Sequence, residues 1–171
     1  MRIRVFVAAA AFALAATPAL AEGNKPKLQV EDGGGEPVIV QQGKGSFYGD
    51  GFHGKKTATG ERFDKNKPTA ASKELPLGSK ATVTNEDTGK STDVTINDRG
   101  PHVPGRVIDL SEKAAKDIGL DKEDGVAPVR VEAKPSAQPD PEVKEKLEDK
   151  AERIGAGASG KDARGGSGSG K

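Results

Sequence analysis

Thr92-Asp93-Val94-Thr95-Ile96-Asn97-Asp98-Arg99-Gly100-Pro101 is the stretch whose reading decides the fold. Polar and apolar residues alternate from Thr92 to Asn97 and β-branched side chains dominate, the pattern of a strand with one buried face. Lys80-Ala81-Thr82-Val83-Thr84-Asn85 repeats the pattern upstream. Between them, Glu86-Asp87-Thr88-Gly89-Lys90 has hairpin length and a glycine near its end. The second strand then runs into an acid, a guanidinium and a Gly-Pro turn. If extended geometry continues, Asp98 falls on the same face as Val94 and Ile96. A carboxylate at the end of a core-facing row is partly desolvated. That environment suits a general acid, and it suits equally a structural Asp holding a turn.

Further strands lie on both sides. Ser46-Phe47-Tyr48 reads as a short strand ending at Gly49, Val129-Arg130-Val131-Glu132 as an alternating one, and Arg106 through Leu110 as a strand leading into a helix. Ser111 is a good N-cap for that helix, Glu112 suits its first turn and Gly119 can close it. Leu110, Ala114 and Ile118 fall on one helical face, which packs against a sheet or a barrel mouth. Many short strands and one small helix in about 90 residues predict a small closed β-barrel.

The ends of the chain read differently. Arg2 and Arg4, the apolar run from Val5 to Ala16 and the small-x-small site Ala19-Leu20-Ala21 form a secretory signal peptide over residues 1–21. Residues 22–42 are polar, carry Gly33-Gly34-Gly35 and read as an N-terminal linker; residues 43–133 form the folded segment. Residues 134–171 open with Pro135, Pro139 and Pro141, end in Gly and Ser, and read as a disordered tail. Within that tail, 142–154 carries Val143, Leu147, Ala151 and Ile154 at helical spacing. This predicts a short solvated helix, with a docking helix for a partner as the alternative.

With no cysteine in the chain, no disulfide and no lipid anchor are expected, and the secreted or periplasmic product of cleavage near Ala21 would be a monomer without a membrane anchor. Loss of Arg2 and Arg4 takes 27 basic residues to 25 against 26 acidic ones, a formal charge of −1. That balance leaves no electrostatic footprint for nucleic acid and none for an anionic membrane surface. His53 and His102 stand on separate loops, so neither a metal site nor a cofactor is expected.

Two more acids, Glu61 and Asp64, come from the glycine-rich run Gly54 to Asp64. Taken with Gly45-Ser46-Phe47-Tyr48-Gly49, Phe52-His53-Gly54, Thr69-Ala70-Ala71, Leu75-Pro76-Leu77-Gly78, Asn97 to Pro101 and Arg106 to Ser111, this segment resembles the rare lipoprotein A (RlpA-like) family. The resemblance implies a mostly β fold, a six-stranded double-psi β-barrel with one or two short helices, here flanked by disordered arms. It also implies a septal lytic transglycosylase that cuts the MurNAc–GlcNAc bond of peptidoglycan glycan strands and leaves 1,6-anhydro-MurNAc ends.

On that resemblance Asp98 is the principal acid, assisted by Glu61 and Asp64, whose plainer roles are a solvated charge and a turn cap. Tyr48 and Phe52 would line the sugar groove, with Ser72, Arg99, His102 and Arg106 as further substrate contacts. Many members carry a histidine where this chain has Ser72, and a serine cannot exchange protons near neutral pH. The alternative function is therefore an expansin-like module that grips glycan without cleaving it.

Overall fold

The computed structural model describes residues 26–121 and 123–159; the expected signal peptide lies outside them. Among the described residues seven strands are present: β1 (Lys27–Asp32), β2 (Pro37–Phe47), β3 (Thr69–Ser72), β4 (Lys80–Asn85), β5 (Ser91–Asp98), β6 (Arg106–Leu110) and β7 (Val126–Ala133). Two helices, α1 (Glu112–Asp117) and α2 (Pro141–Ser159), complete the fold. The ring runs β2-β6-β3-β5-β4-β7 and closes where β7 pairs back on β2, giving the expected six-stranded barrel. The β2–β6 and β3–β5 pairs are parallel and the other pairs of the ring antiparallel. Strand β1 adds a seventh, antiparallel to the first half of β2.

Alternation does what the sequence predicts over most of the ring. Ala81, Val83, Val94 and Ile96 are buried while Lys80, Asp93 and their neighbours face outward, and β4 and β5 pair through the predicted hairpin. Val129 and Val131 fill the barrel from β7. Strand β2 can cross this core only because two of its residues lack side chains. A Cβ on Gly43 would lie 2.4 Å from Val107 Cγ1, and one on Gly45 2.9 Å from Val129 Cγ2.

The helix α1 is capped as its sequence predicts. Ser111 Oγ accepts from the Ala114 N–H at 3.2 Å. At the other end Gly119, at φ +71°, bonds Lys116 O, and Leu120 N–H bonds Ala115 O at 2.9 Å, the Schellman arrangement. Asn85, 2% exposed, takes up the freed carbonyl of Ile118 from β4. Thus α1 is locked to the barrel at its C-terminus as well as by its apolar face.

Both predicted arms need correction within the described residues. Residues 27–42, read as a linker, form β1 and half of β2; Val38, Ile39 and Val40 are at most 3% exposed. The strand read as Ser46–Tyr48 is the end of an eleven-residue one. The tail from 134 is likewise folded as far as Ser159. Gln138 brackets β4 by accepting from Lys80 N–H and donating to Lys80 O, at 2.7 and 3.0 Å, and Ser136 bonds Glu36 twice.

The helix predicted at 142–154 runs from Pro141 to Ser159, its N-terminus capped by Asp140. Val143, Leu147 and Ala151 are buried in the main core, and Leu28, Val30, Leu77 and Ile154 pack alongside. The apolar stripe is as thin as its sequence shows. What the sequence hides is the matching apolar surface that β1 and the turn before β4 provide, to which Gly78 contributes by leaving room for Val143.

Leu147 is fully buried, so Leu147→Ala should destabilise the protein by about 2–5 kcal/mol in urea unfolding. Lys150→Ala, which removes a half-exposed ion pair to Glu74, should cost less than about 1 kcal/mol. A neutral Leu147→Ala would show that α2 unfolds independently of the barrel.

Candidate active site

Two irregularities in the ring place the site. Along β3 and β5 the register runs from Ala70–Ile96 to Ala71–Asp98, skipping Asn97. Along β2 and β6 it runs from Lys44–Arg106 to Gly45–Ile108, skipping Val107. Each skipped residue is a bulge on the strand that carries an acid directly afterwards or one residue on. Bulges re-aim side chains and end strict alternation. The consequence is visible in burial: Ile96 and Asn97 are both buried in succession, as are Val107 and Ile108. The alternation that put Asp98 on the face of Val94 and Ile96 therefore stops at Ile96, and Asp98 is half-buried.

Beyond the bulges the register aligns Ser46, Asp109, Ala71 and Asp98 in one row across β2, β6, β3 and β5. Asp98 and Asp109 stand on the two neighbours of one strand, with Ala71 between them, so their backbones are roughly 10 Å apart. Ser46 Oγ donates to Asp109 Oδ1 at 2.5 Å and Arg106 Nη2 to Oδ2 at 3.2 Å. Gly100 lies over Ala71, where a Cβ would come 3.9 Å from the alanine methyl, and it adopts φ +138°, which favours glycine.

Three donors converge on Asp98. Tyr48 Oη donates to Oδ2 at 2.9 Å; the N–H groups of Ala58 and Arg99 donate to Oδ1 at 2.9 and 2.8 Å. Tyr48 follows β2 and extends its pairing through a bond from its N–H to Leu110 O. Its ring rests against Phe63 (centroids 4.6 Å) and Phe52 (5.2 Å). Burial, then the bond to Asp98 and the charges of Asp98 and Asp109, push the Tyr48 phenol well above its ordinary range. It is therefore a fixed donor. Ala58 is delivered by the loop 54–63, which folds on itself through Gly54–Phe63, Phe63–Lys55 and Thr57–Glu61 backbone bonds and ties to β5 by Thr59 N–H to Asn97 O.

The structure thus brings Tyr48, Phe52 and Asp98 together, with Arg106 reaching the same row through Asp109. Phe52 is 46% exposed beneath the Lys55 ammonium, 4.8 Å from its ring centre. Glu61 lies on the loop that supplies Ala58; its carbonyl closes the loop while its side chain is exposed. Asp64 is occupied otherwise: Oδ1 accepts from Asn66 N–H at 3.0 Å, an Asx turn.

Ser72 is 1% exposed and its Oγ accepts from the N–H groups of Glu74 and Leu75, so it holds a turn and is closed to a sugar. Arg99 Nη1 donates to Ser72 O and Leu75 O at 2.8 and 2.7 Å, fastening the segment after Asp98 to that turn. His102 is exposed on the next loop, and His53 accepts a long 3.4 Å bond from Lys65 N–H. Sequence reasoning missed Asp109, Ser46 and the Ala58 amide. Only Asp109 left a signal, as the lone acid between Ile108 and Leu110.

The family model described as lytic transglycolase, a double-psi β-barrel, matches residues 40–131. Among curated relatives, the probable endolytic peptidoglycan transglycosylase RlpA of a Nostoc species is 56% identical over 93 residues, 53% of this chain and 25% of that protein. The endolytic peptidoglycan transglycosylase RlpA of Neisseria meningitidis serogroup A is 46% identical over 107 residues, 63% of this chain and 42% of that one. Among solved structures, an apo expansin from Clavibacter michiganensis is similar at 20% identity and TM-score 0.42, over 55% of this chain and 50% of its own. The chain therefore spans less than half the length of the curated relatives named. Since the family model covers more than half of the chain, from within β2 to within β7 and so part or all of each strand of the ring, this protein belongs to the RlpA-like lytic transglycolase family of double-psi β-barrels.

Proposed function

We propose that the barrel cleaves the MurNAc–GlcNAc bond of peptidoglycan as a lytic transglycosylase, outside the cytoplasm. The observation that carries the reading is the Asp98 carboxyl, held by one O–H and two N–H donors in a row that also presents Asp109. The names of the family's relatives supply the substrate class.

In the proposed reaction Asp98 carries a proton on the Oδ2 position that its three donors leave free, and gives it to the glycosidic oxygen as the C1–O bond breaks. The resulting carboxylate takes the proton of the muramyl 6-hydroxyl while O6 bonds C1, which closes the 1,6-anhydro ring without water and returns the acid to its starting state. Tyr48, protonated throughout, keeps one lone pair of Oδ2 occupied, which directs the reacting position of the carboxyl. Asp109, bonded by Ser46 and ion-paired with Arg106, sets a second, largely compensated carboxylate across the row. Phe52, half-exposed with Lys55 over its ring, offers a sugar its remaining aromatic surface, and Glu61 an exposed carboxylate on the following loop. Asp64 and Ser72 act through the turns they hold.

Incubating the protein with peptidoglycan and analysing soluble products by mass spectrometry tests this directly. Anhydro-muropeptides or anhydro-glycans should form, and Asp98→Asn should reduce their rate at least about a hundredfold. Glycan capture without anhydro products would leave the expansin-like binding module, and reducing ends would mean hydrolysis.

A second prediction concerns Tyr48, the single tyrosine of a chain without tryptophan. Its ultraviolet titration should show no phenolate near pH 10, the ordinary range, and Asp98→Ala should bring the midpoint down. Because the folded state keeps this proton, the associated stability is full below about pH 10 and falls as pH rises further. A midpoint near 10 in the folded protein would contradict the buried Tyr48–Asp98 bond.

A further inference from the structure

We infer that a cleft lined by Arg99, the residue after Asp98, and walled by α2 binds the carboxylate carried by the 3-O-lactyl arm of a muramic acid residue. The inference rests on the peptidoglycan reading above and adds a determinant that the family match does not contain, since α2 begins at Pro141 and the match ends at residue 131.

Burial of Val143, Leu147 and Ala151 fixes the rotation of α2. The adjoining stripe Lys146, Lys150 and Arg153, spaced by four and three residues, is thereby fixed in direction too. It faces the Leu75-Pro76-Leu77 turn and Arg99 across a cleft of about 450 Å³. Four cations line this space against two acids, Glu74 and Asp149. Lys150 is paired with Glu74 at 2.9 Å, and Lys146 with Glu142 at 2.6 Å. Among the described residues Arg153 has no ion pair. The Arg99 guanidinium is bonded by two neutral carbonyls, which leave its charge uncompensated. The cleft is thus cationic over a partly apolar floor.

Arg99 joins this cleft to the chemistry. Its N–H holds Asp98 Oδ1 while its side chain lines the cleft. Arg99 is thus the residue through which a glycan held at Asp98 would reach α2. Muramic acid differs from glucosamine by the ether at O3, whose arm bears one methyl group and one carboxyl. In strands stripped of peptide the carboxylate is free; in intact strands the carboxyl is amidated and the stem peptide supplies carboxylates of its own. A methyl and a carboxylate match an apolar floor with guanidinium groups above it.

The test compares the full chain with Arg153→Glu, an exposed cleft position that does not touch the Asp98 row, and with Arg153→Ala as the milder variant. Binding is titrated against three probes: peptide-free muramyl strands, peptide-bearing strands, and chitohexaose, which has no lactyl arm. Arg153→Glu should weaken muramyl binding by about five- to tenfold, Arg153→Ala by less, and neither should alter chitohexaose binding. Added salt should narrow the wild-type preference for muramyl strands. Loss confined to peptide-free strands supports the lactyl carboxylate, and loss confined to peptide-bearing strands overturns it in favour of the stem's carboxylates. Equal affinity of wild type for all three probes, or an unchanged profile in Arg153→Glu, overturns the inference. An Arg153-dependent preference with no anhydro product would sink the cleavage reading and leave the cleft standing. Anhydro product with an unaltered Arg153→Glu would do the reverse.

Discussion

The pairing of β3 between two bulged strands is the constraint from which the site follows. Ala71 is matched to Asp98 on one side and to Asp109 on the other, and each match comes directly after a residue has been skipped or one position beyond it. Without the extra residues at Asn97 and Val107, these acids would keep the facing that strict alternation assigns them. Ring closure through β2 and β7 holds the register, because a slip anywhere in a closed barrel must be taken up by every other pair. The small side chain at 71 and the glycine over it keep the row compact.

Around this frame the carboxyl of Asp98 is oriented by groups that come from distant parts of the chain. Tyr48 is fixed by its continuation of the β2–β6 pairing and by the Phe63 and Phe52 rings, so its hydroxyl costs little further ordering when it meets Asp98. The Ala58 amide is fixed by a loop whose own backbone bonds close it. Arg99 contributes twice, through its N–H to Asp98 and through a guanidinium that fastens the following segment to the Ser72–Leu75 turn. Preorganisation of this kind is what proton transfer at a fixed position requires.

The elements outside the family match extend this arrangement. Strand β1, the Pro135–Ala137 turn and α2 cover one side of the barrel with an apolar seam and with side-chain bonds to β4 and to the turn before β2. Their effect on the site is indirect: α2 braces the turn that Arg99 grips, through Lys150 and Glu74. The same helix sets a cationic wall beside that turn. A segment whose composition reads as a solvated tail is thus part of both the core and the surroundings of the site.

Local pattern by itself determined the β4–β5 hairpin, the capped helix α1 and the barrel class, because each depends on alternation, turn residues or caps within a few neighbours. It also marked Asp98, Tyr48 and Phe52, which stand beside turn signals and within the motifs that carry the family resemblance. Tertiary structure decided the rest. The bulge at Asn97 arises from pairing with β3 and leaves no trace in the alternation up to Asn97, and the apolar pair Val107-Ile108 does not by itself say which strand it is bulged against. Asp109 and the Ala58 amide join Asp98 only through contacts across the ring, and Ser72 and Asp64 are drawn into turns. The thin stripe of α2 became core because β1 and Leu77 offer it an apolar surface. Burial depends on both partners, and a sequence segment shows only one of them at a time.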